Sequence, residues 1–429
     1  MKSFSLNNIF KGDKVIWTLF FFFFIISIVE VYSASSSLSY KSGNYLGPII
    51  KHGLIYIVGM FFMICTLNFK CRYFKAATVF ALALSLLFIL MALFTGKVEN
   101  DASRWLSFCG IDFQPSEIAK GALVLSVAQI LSAMQTDKGA DRKAFNYILY
   151  ICTPFLFLIA IENLSTAALL IVVIIMMMFI GRVPWNQLGK LLAVLFAGMA
   201  FAFVMIMIVG TKQDPQKVNA EKSQIDKPKE KPGALEKIFH RADTWKTRIY
   251  NFFDNEYIPP EKYDLDNGAQ VGHANIAIAS SGIVGKMPGN SQERDFLSQA
   301  FSDFIYAIII EETGIFGGVF VAFLYIVLLF RVGRIANRCE NAFPALLAMG
   351  LGLLLVTQAL FNMLVAVGLA PVTGQPLPLI SKGGSSTIIN CIYLGMILSI
   401  SRTAQKKQKP TDNVVTAKAV KKKKKKVGT

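Results

Sequence analysis

Residues 303–330 have the sequence DFIYAIIIEETGIFGGVFVAFLYIVLLF, in which an acid opens a long apolar run. About 20 mainly apolar residues suffice for a helix to cross a bilayer, so this stretch predicts a membrane-spanning helix. Two further acids, Glu311 and Glu312, lie inside the run. A carboxylate in hydrocarbon costs at least a few kcal/mol, and one that persists usually lines a polar cavity or performs chemistry. Asp303 stands where a long polar loop ends, so it could meet a substrate from the water side while a rigid helix holds it.

Similar apolar runs recur along the whole chain of 429 residues, of which 54% are hydrophobic. This composition excludes an ordinary soluble domain. We therefore predict an all-α, polytopic integral membrane protein with about ten transmembrane helices. Lysines precede the first run as in a signal peptide, but the run is too long for one, so we expect it to be retained. The predicted spans are Val15–Tyr32, Ile49–Leu67, Tyr73–Phe94, Ile118–Met134, Tyr147–Ile161, Thr166–Ile180, Leu191–Val209, Phe304–Phe330, Phe343–Val367 and Thr387–Ile400.

Basic residues in the short loops predict how the chain crosses the bilayer, because cytoplasmic loops are enriched in lysine and arginine. They fall on alternate loops, on the same side as residues 2–14 and the C-terminal tail, so we predict that both termini are cytoplasmic. Residues 211–300, between the seventh and eighth predicted helices, then form a large extracytoplasmic loop. Within it, residues 234–250 have the spacing of an amphipathic helix, and residues 267–289 predict a short helix followed by a tight Gly-rich turn.

We assign residues 1–402 to one transmembrane domain and residues 403–429 to a disordered, basic cytoplasmic tail. The tail contains the lysine run 421–426 and contributes to a net charge of +17. A basic tail can bind nucleic acid, but beside a membrane helix attraction to anionic headgroups is the better interpretation. We therefore expect membrane lipids, and not nucleic acid, as partners. The cysteines show no CxxC spacing and the histidines no ligand spacing, so we predict neither a stabilising disulfide nor a zinc site.

The first motif that carries chemistry lies around Pro115, which fits the first position of a helix. Glu117 in the first turn complements the helix dipole. Lys120 sits just inside an apolar run, three residues beyond Glu117, so the two side chains share a helix face and can pair. Two interpretations stay open, a buried ion pair that locks the helix and the wall of a polar cavity. Arg104 and Gln114 precede the motif.

The second motif is GQPLPLISKGGSS, residues 374–386, between the last two predicted spans. Its prolines and its Gly-Gly-Ser-Ser turn prevent a straight helix, and irregular backbone at membrane depth is tolerated where it is buried in protein or lines water. A lysine beside glycine amides and hydroxyls, at the mouth of a helix, would suit an anionic group such as a phosphate. The spacing is not that of a Walker A loop, and a simple turn is the alternative. The candidate anion-binding residues are Lys382, Gly383, Gly384, Ser385 and Ser386.

The helix that opens at Asp303 cannot hold its acids in one cluster. At about 100° per residue, Glu311 lies about 80° from Asp303 and Glu312 lies nearly opposite to it, both two turns deeper. Asp303, near the water, is the better candidate for a general base. We expect Glu311 and Glu312 to organise the helix core, with Lys120 or an arginine as partner.

These three blocks, in this order and with a Gly-rich segment before the acid, resemble the SEDS family of cell-wall polymerases, which includes FtsW and RodA. The matching stretches are Arg104–Lys120, Gly282–Gly314 and Pro371–Ser386. With the span count and the topology, the resemblance covers nearly the whole chain. The long outer loop and the lysine tail resemble the division-type FtsW branch more than RodA.

The resemblance implies a peptidoglycan glycosyltransferase that polymerises lipid II at the outer face of the bacterial cytoplasmic (inner) membrane. It further implies septal synthesis in cell division, with a class B penicillin-binding protein and other divisome proteins as partners. Asp303 matches the family's essential aspartate and would deprotonate the acceptor sugar 4-hydroxyl, which displaces undecaprenyl diphosphate. No cofactor is required by the motifs, and a divalent cation, Mg²⁺ or Mn²⁺, is the one candidate.

The same resemblance assigns the other site residues, because a leaving dianion needs cationic stabilisation. Asn163 and Ser165 depart from the family pattern, which has an aspartate and a glycine there, and Lys382 replaces a tyrosine. These departures bear on loop shape and donor binding. The residues expected to bind substrate are Arg104, Glu117, Lys120, Arg248, Lys382, Ser385 and Ser386, and those expected to support them are Gln114, Glu311, Glu312, Gly383 and Gly384.

Three alternatives compete with this hypothesis. A RodA-type polymerase of cell elongation would carry the same motifs. Acids in a membrane core also fit a lipid II flippase or another transporter, although the prominent acid sits at the edge of the span and no inverted repeat is evident. A catalytically silent scaffold that recruits the transpeptidase is the third.

Overall fold

The computed structural model describes residues 10–34, 47–95, 97–99, 102–108, 111–137, 139–209, 269–297 and 302–424. Within these ranges the chain forms a bundle of eleven α-helices with two small β-sheets. The helices are α1 (Lys14–Ala34), α2 (Gly47–Asn68), α3 (Cys71–Thr95), α4 (Pro115–Ala133), α5 (Arg142–Glu162), α6 (Leu164–Ile180), α7 (Trp185–Val209), α8 (Ala269–Ser281), α9 (Ile305–Ala336), α10 (Ala342–Ala366) and α11 (Ser385–Lys424).

Ten of these helices coincide with the ten apolar runs of the sequence, because only a helix satisfies the backbone of such a run within itself. Among the described residues, eight helices are long and apolar enough to cross a membrane, and α6 is a shorter apolar helix of 17 residues. The prediction of an all-α, polytopic membrane protein is confirmed. The remaining helix, α8, falls where the sequence predicts a short helix before a Gly-rich turn.

Capping residues set several helix boundaries. The Asp141 side chain caps α5 by accepting a hydrogen bond from the backbone N–H of Lys143 at 2.8 Å. Asn163 ends α5 and begins α6, because its Oδ1 accepts from the backbone N–H of Thr166 at 3.2 Å. The two helices are therefore joined by a single residue.

The bundle has two distinct ends. At one end the Asp13 carboxylate lies 2.7 Å from the Arg331 guanidinium and accepts from the backbone N–H of Val15 at 2.9 Å, which caps α1. The backbone N–H of Asp13 donates to Ser401 Oγ at 2.9 Å, so α1, α9 and α11 meet there. The opposite end holds Asp303, at the start of α9. We name these the Asp13 end and the Asp303 end; the side of the membrane that each faces stays a prediction.

The sequence predicts no strands, and the structure has two small sheets. At the Asp303 end, β1 (Lys97–Glu99), β2 (Ala102–Phe108) and β3 (Ile111–Phe113) form an antiparallel sheet in the order β1-β2-β3. Strands β4 (Gln135–Thr136) and β5 (Gly139–Ala140) form a hairpin between α4 and α5. Four of these strands have only two or three residues, too few for a periodic pattern, and the seven residues of β2, ASRWLSF, do not alternate strictly between apolar and polar.

Helix α9 is interrupted at Gly314, whose φ of 75° and ψ of −176° are not helical. The turn after α8 docks at this interruption, where the backbone N–H of Lys286 donates to the Glu311 carbonyl at 2.9 Å. Gly285 and Gly314 approach closely, since a Cβ on Gly285 would lie 2.4 Å from the Gly314 nitrogen. The Gly-rich turn and the helix break therefore form one unit, fixed through the backbone.

Helices α2 and α11 lie side by side and run in the same direction. A Cβ on Gly59 of α2 would lie 2.8 Å from Cys391 Sγ, and a Cβ on Gly395 of α11 would lie 2.7 Å from the Met63 carbonyl. Both numbers increase together along the two helices, as they do for parallel neighbours. Glycine at these points lets the two backbones approach.

Helix α11 continues through Lys424 and so extends past residue 402, where the sequence places the end of the transmembrane domain. Alanine, lysine and glutamine recur after residue 403 and have high helix propensity, which hydrophobicity alone does not reveal. The division into a domain over residues 1–402 and a disordered tail over residues 403–429 stays a prediction.

Candidate active site

Asp303 lies in the turn that leads into α9, and its side chain is half-buried. Its Oδ1 accepts a hydrogen bond from the Ser302 hydroxyl at 3.0 Å. A Cβ on Gly374 would lie 3.5 Å from Asp303 Oδ2, so the second motif comes directly against the carboxylate. Gly374 has a φ of +66°, a conformation that glycine adopts without strain. The fold therefore brings the predicted base and the 374–386 loop together.

Asn362 on α10 holds the backbone of Asp303 and the backbone of the 374–386 loop. Its Nδ2 donates to the Asp303 carbonyl at 2.8 Å and to the Gln375 carbonyl at 2.7 Å. Asn362 is 1% exposed, so these bonds lie in the interior, where an unpaired carbonyl costs about 1–3 kcal/mol. The Ser381 hydroxyl adds a further connection by donating to the Ser302 carbonyl at 2.6 Å.

One turn earlier on α10, Gln358 connects the site to the first motif. Its Oε1 accepts from Lys120 Nζ at 2.7 Å, and its Nε2 donates to the Pro376 carbonyl at 3.1 Å. Lys120 Nζ also lies 2.7 Å from Glu117 Oε1, and the two side chains are 1% and 3% exposed. Of the two interpretations of this motif, the buried ion pair is the one that forms. Lys120 is thus connected to the 374–386 loop through Gln358, and the substrate-binding role expected of Lys120 and Glu117 stays a prediction.

The rest of the 374–386 loop is anchored by polar side chains of the surrounding helices. Two of the three bonds satisfy backbone carbonyls that would otherwise be buried without partners, and the third joins two side chains. The sequence predicts irregular backbone that is buried in protein or lines water, and the structure shows that most of it is buried in protein. The anchoring contacts are the Gln375 amide to Thr166 Oγ1 at 2.8 Å, the Tyr325 hydroxyl to the Pro378 carbonyl, and the Ser27 hydroxyl to the Ile380 carbonyl at 2.6 Å.

Lys382 and the turn after it lie at the N-terminus of α11. The Lys382 side chain is half-buried, and burial lowers the pKa of its ammonium group below the ordinary value. Gly383 and Gly384 form the turn, in which the backbone N–H of Ser386 donates to the Gly383 carbonyl at 2.9 Å and Gly384 has a φ of +50°. Ser385 and Ser386 are buried in the first turn of the helix. The lysine, the glycines and the serines therefore lie together at the N-terminus of a helix, as the sequence predicts.

The two deeper acids support the structure beside the site. Glu311 Oε1 accepts from Lys286 Nζ at 2.8 Å, and Glu312 accepts from the Ser33 hydroxyl of α1. Lys120 is not their partner, because its ammonium group is bound to the first motif and to α10. Both acids thus fasten the Asp303 end of α9 to its neighbours.

Three further predicted site residues are Arg104, Arg248 and Gln114. The backbone of Arg104 lies in β2, but its side chain is outside the described residues, and Arg248 lies outside them altogether. Gln114 precedes α4 and lines a small cavity together with Ser116 and Glu162. The substrate-binding roles of these residues stay predictions.

Sequence reasoning missed Gln358 and Asn362. The sequence did contain a signal for these two residues: both are polar side chains inside an apolar span, and such side chains are costly and usually have a function. Their spacing of four residues also places them on one face of α10. The sequence does not tell what that face touches, since Lys120 and Asp303 are distant along the chain.

A divalent cation is not assigned to a site by the described residues. Among them, no group of three or more His, Cys, Asp and Glu side chains is placed to hold a metal ion. Glu117, the acid of the first motif, is engaged by its lysine. Mg²⁺ or Mn²⁺ stays a candidate only, and no step proposed below uses it.

The arrangement suits proton abstraction next to an anionic leaving group. The Asp303 carboxylate is partly exposed and can reach a hydroxyl, while Asn362 fixes its main chain. Lys382 and the N-terminus of α11 supply positive charge at the same end of the bundle. A base beside cationic groups is typical of group transfer with a phosphate leaving group.

Comparison with known sequences gives the family. Residues 13–406 match the family described as cell cycle protein, which comprises FtsW, RodA and SpoVE. A probable peptidoglycan glycosyltransferase FtsW from Geobacter metallireducens is 28% identical over 403 residues, covering 92% of this chain and 96% of that protein. The peptidoglycan glycosyltransferase MrdB of Escherichia coli K12 is 27% identical over 378 residues, covering 88% of this chain and 91% of that protein.

Solved structures share the fold. A chain of a peptidoglycan synthase complex that coordinates polymerization and crosslinking has a TM-score of 0.67 at 23% identity, covering 92% of this chain and 98% of that chain. The rod shape determining protein RodA of Thermus thermophilus has a TM-score of 0.61 at 21% identity, with the same coverage. Since the family match spans nearly the whole sequence, the chain belongs to the FtsW, RodA and SpoVE family, the SEDS family that the motifs predict.

Proposed function

We propose that this chain, a peptidoglycan glycosyltransferase of the FtsW, RodA and SpoVE family, polymerises lipid II into glycan strands. The observation that carries the proposal is the position of Asp303. Its carboxylate stands half-buried where α9 begins, with its main chain held by Asn362 and its second oxygen against Gly374. A fixed base at the rim of a membrane bundle can reach a sugar whose lipid tail stays in the bilayer.

Asp303 acts as the general base. Its carboxylate takes the proton of the acceptor sugar 4-hydroxyl, and that oxygen attacks C1 of the lipid-linked donor sugar. The bond between C1 and O4 forms as the bond between C1 and the diphosphate oxygen breaks, and the electron pair leaves with undecaprenyl diphosphate. The proton on Asp303 then passes to water, which restores the carboxylate for the next addition.

Cationic groups stabilise the leaving diphosphate, on which negative charge develops in the transition state. Lys382 and the N-terminus of α11 are proposed for this role, with Arg104 and Arg248 as further candidates. Lys120 contributes indirectly. Its ion pair with Glu117 and its bond to Gln358 hold the 374–386 loop at the site.

We assign this activity to septal synthesis in cell division, with a class B penicillin-binding protein as crosslinking partner and other divisome proteins nearby. The FtsW relatives support this assignment, and the peptidoglycan synthase complex with a similar chain supports the partner. In this arrangement the Asp303 end faces outward from the inner membrane and both termini are cytoplasmic. Elongation is the second candidate, because MrdB and RodA resemble the chain almost equally well.

The decisive experiment is lipid II polymerisation by the full chain co-purified with its penicillin-binding partner. Asp303→Asn removes the base and should lower the rate of glycan formation by about a hundredfold or more. Asp295→Asn, an acid-to-amide change at an exposed position, is the matched control and should keep the wild-type rate. If Asp303→Asn folds normally and polymerises like the wild type, the general-base assignment is wrong.

Two further measurements separate the alternatives. Lipid II translocation in sealed vesicles by protein that makes no glycan would establish the transporter instead. Depletion of the chain in growing cells should give filaments if it serves the septum, whereas rounded cells would establish the elongation role.

A further inference from the structure

Helix α9 bends back on itself at Gly314. The Tyr306 hydroxyl donates a hydrogen bond to the Gly318 carbonyl at 3.0 Å, although the two residues are twelve positions apart in the chain. In a straight helix twelve residues span about 18 Å, a distance that a tyrosine side chain cannot bridge. Residues 305–313 therefore lie against the beginning of residues 315–336. We name these two parts of the helix the first arm and the second arm.

The absence of a side chain on Gly318 lets the two arms approach. A Cβ on Gly318 would lie 2.7 Å from Ile310 Cγ1 and 3.3 Å from the Tyr306 oxygen. The first of these distances is too short for two carbon atoms, so any larger residue would push the arms apart. Tyr306 is 7% exposed and Ile310 is 6% exposed, which places the contact in the interior of the bundle.

The second arm is part of the rigid bundle. The rings of Tyr325 on this arm and Phe23 on α1 pack with their centroids 4.7 Å apart. On the other side, α10 approaches so closely that a Cβ on Gly352 would lie 2.9 Å from Val332 Cγ1. The second arm is therefore a fixed reference against which the first arm is held.

The angle between the arms decides where Asp303 stands. Gly314 has a φ of 75°, and glycine tolerates many backbone angles, so the bend alone does not fix this angle. Asp303 precedes Gly314 by eleven residues, about 16 Å along the first arm. A change of about 4° at Gly314 would thus move Asp303 by about 1 Å, and a shift of that size in a catalytic group can lower the rate about a hundredfold.

Two hydrogen bonds restrain the first arm near its beginning. Asn362 binds the Asp303 carbonyl at 2.8 Å and fixes one point, but a single point does not fix the direction of a helix. Tyr306 provides a second point one turn later, about 12 Å from Gly314. A bond this far from the bend restrains the angle more tightly than a contact beside Gly314, such as that of residues 282–287.

We propose that Tyr306 is a positioning residue for the transfer reaction. Its hydroxyl holds the first arm to the second and thereby sets the direction in which the Asp303 carboxylate points. Tyr306 acts through Asp303, since its own hydroxyl is engaged in the interior. The inference rests on the proposed function, in which Asp303 is the general base.

Removing the hydroxyl should change the angle without unfolding the protein. Gly318 lies inside the second arm, where a carbonyl also accepts the N–H four residues further on. A carbonyl oxygen has two lone pairs, so the tyrosine takes the second one. In Tyr306→Phe the ring still fills its place, and the Gly318 carbonyl keeps its helical partner. The variant should therefore fold, with the first arm less firmly held.

The test combines lipid II polymerisation by the full chain and its penicillin-binding partner with hydrogen exchange on the same preparation. Tyr306→Phe should lower kcat about tenfold and leave KM for lipid II nearly unchanged, because binding contacts stay in place. Amide exchange should speed up about tenfold in residues 303–313 and stay at the wild-type rate in residues 315–336. Tyr150→Phe, the same change at an exposed position on α5, is the matched control and should alter neither quantity.

A second variant reaches the same contact from the other arm. Gly318→Ala should push Ile310 and Tyr306 away and lower kcat in the same way. Gly333→Ala, on the same arm, is its control, because a Cβ there would lie 4.0 Å from the nearest atom, Met349 Sδ. The double variant Tyr306→Phe with Gly318→Ala should lose no more than the larger single loss, since both changes break one contact. Losses that multiply would contradict a shared cause.

Each result decides the proposal. Folded Tyr306→Phe protein with a kcat within twofold of the wild type would overturn the positioning role. A lower kcat with unchanged exchange in the first arm would overturn it too, as would faster exchange in both arms, which indicates general destabilisation. If Tyr306→Phe does not fold, Gly318→Ala measured against Gly333→Ala decides by the same criteria.

Hydrogen exchange also separates this proposal from the function. Faster exchange confined to the first arm, in a protein whose wild type makes no glycan with its partner, would remove the polymerase function and leave Tyr306 as the residue that holds the arm. Glycan synthesis at the wild-type rate by Tyr306→Phe would remove the role of Tyr306 and leave the function standing.

Discussion

Replacing Asn362 by leucine should displace Asp303 without altering its chemistry. Leucine has nearly the shape of asparagine but no hydrogen-bond donor. The carbonyls of Asp303 and Gln375, now bound at 2.8 and 2.7 Å, would each lose their partner in the interior. The main chain that carries the base would then be free to shift relative to the 374–386 loop.

The size of the effect follows from these two bonds. A buried carbonyl left unsatisfied costs about 1–3 kcal/mol, and a bond whose carbonyl can reach water costs about 0.5–1.5 kcal/mol. Asp303 is partly exposed and Gln375 is buried, so the two losses together give an expected destabilisation of about 1.5–4.5 kcal/mol. A shift of about 1 Å in a catalytic group can lower the rate about a hundredfold, and we expect a loss of that order.

The assay is lipid II polymerisation with thermal unfolding measured on the same preparation. Asn362 positions the base and does not contact substrate, so kcat should fall while KM for lipid II changes little. Thr357→Val, another buried polar-to-apolar change on α10, is the matched control and should leave kcat near the wild-type value. Folded Asn362→Leu protein with a kcat within twofold of the wild type would refute the positioning role.

Other perturbations test the supporting structure. Lys120→Met should destabilise the protein by about 3–5 kcal/mol, because it leaves the Glu117 carboxylate buried without its partner; adding Glu117→Gln should restore part of the loss of thermal stability. Gly314→Ala should prevent docking of the Gly-rich turn, since its Cβ would lie 2.1 Å from the Ile283 carbonyl, and should speed proteolysis of that turn. Gly198→Ala, where a Cβ meets no atom within 4 Å, should have no such effect. EDTA tests the candidate cation: a loss of polymerisation that Mg²⁺ or Mn²⁺ restores would establish a cation requirement, and full activity in EDTA would exclude it.

The helices of the membrane bundle could be predicted from the sequence because a long apolar run has few alternatives in a bilayer. The pairing of Glu117 with Lys120 could be predicted for a similar reason, since three residues of helix place the two side chains on one face. The sequence could not choose between an ion pair and a cavity wall there. That choice depends on Gln358, which comes from a distant helix and accepts a second hydrogen bond from the lysine.

The parts of the site that escaped prediction depend on contacts between distant segments. In the sequence, Asn362 is a single amide within an apolar run. Its partners, two backbone carbonyls from other segments, come within reach only in the folded chain. Lys286 likewise becomes the partner of Glu311 only because the turn after α8 docks at the break in α9. Local spacing predicts which side chains share a face, whereas the neighbours of that face follow from the fold.

Residues 282–287 dock on α9 through their backbone, and this contact separates the position of Asp303 from the length of the chain that precedes it. Because the chain is fastened to α9 before it reaches Asp303, the length of residues 210–268 does not set the position of the base. A change in the length of that segment should therefore leave Asp303 in its place relative to α9. Insertions between Gly289 and Asp303 have no such freedom, because both sides of that short stretch are tied to the same helix.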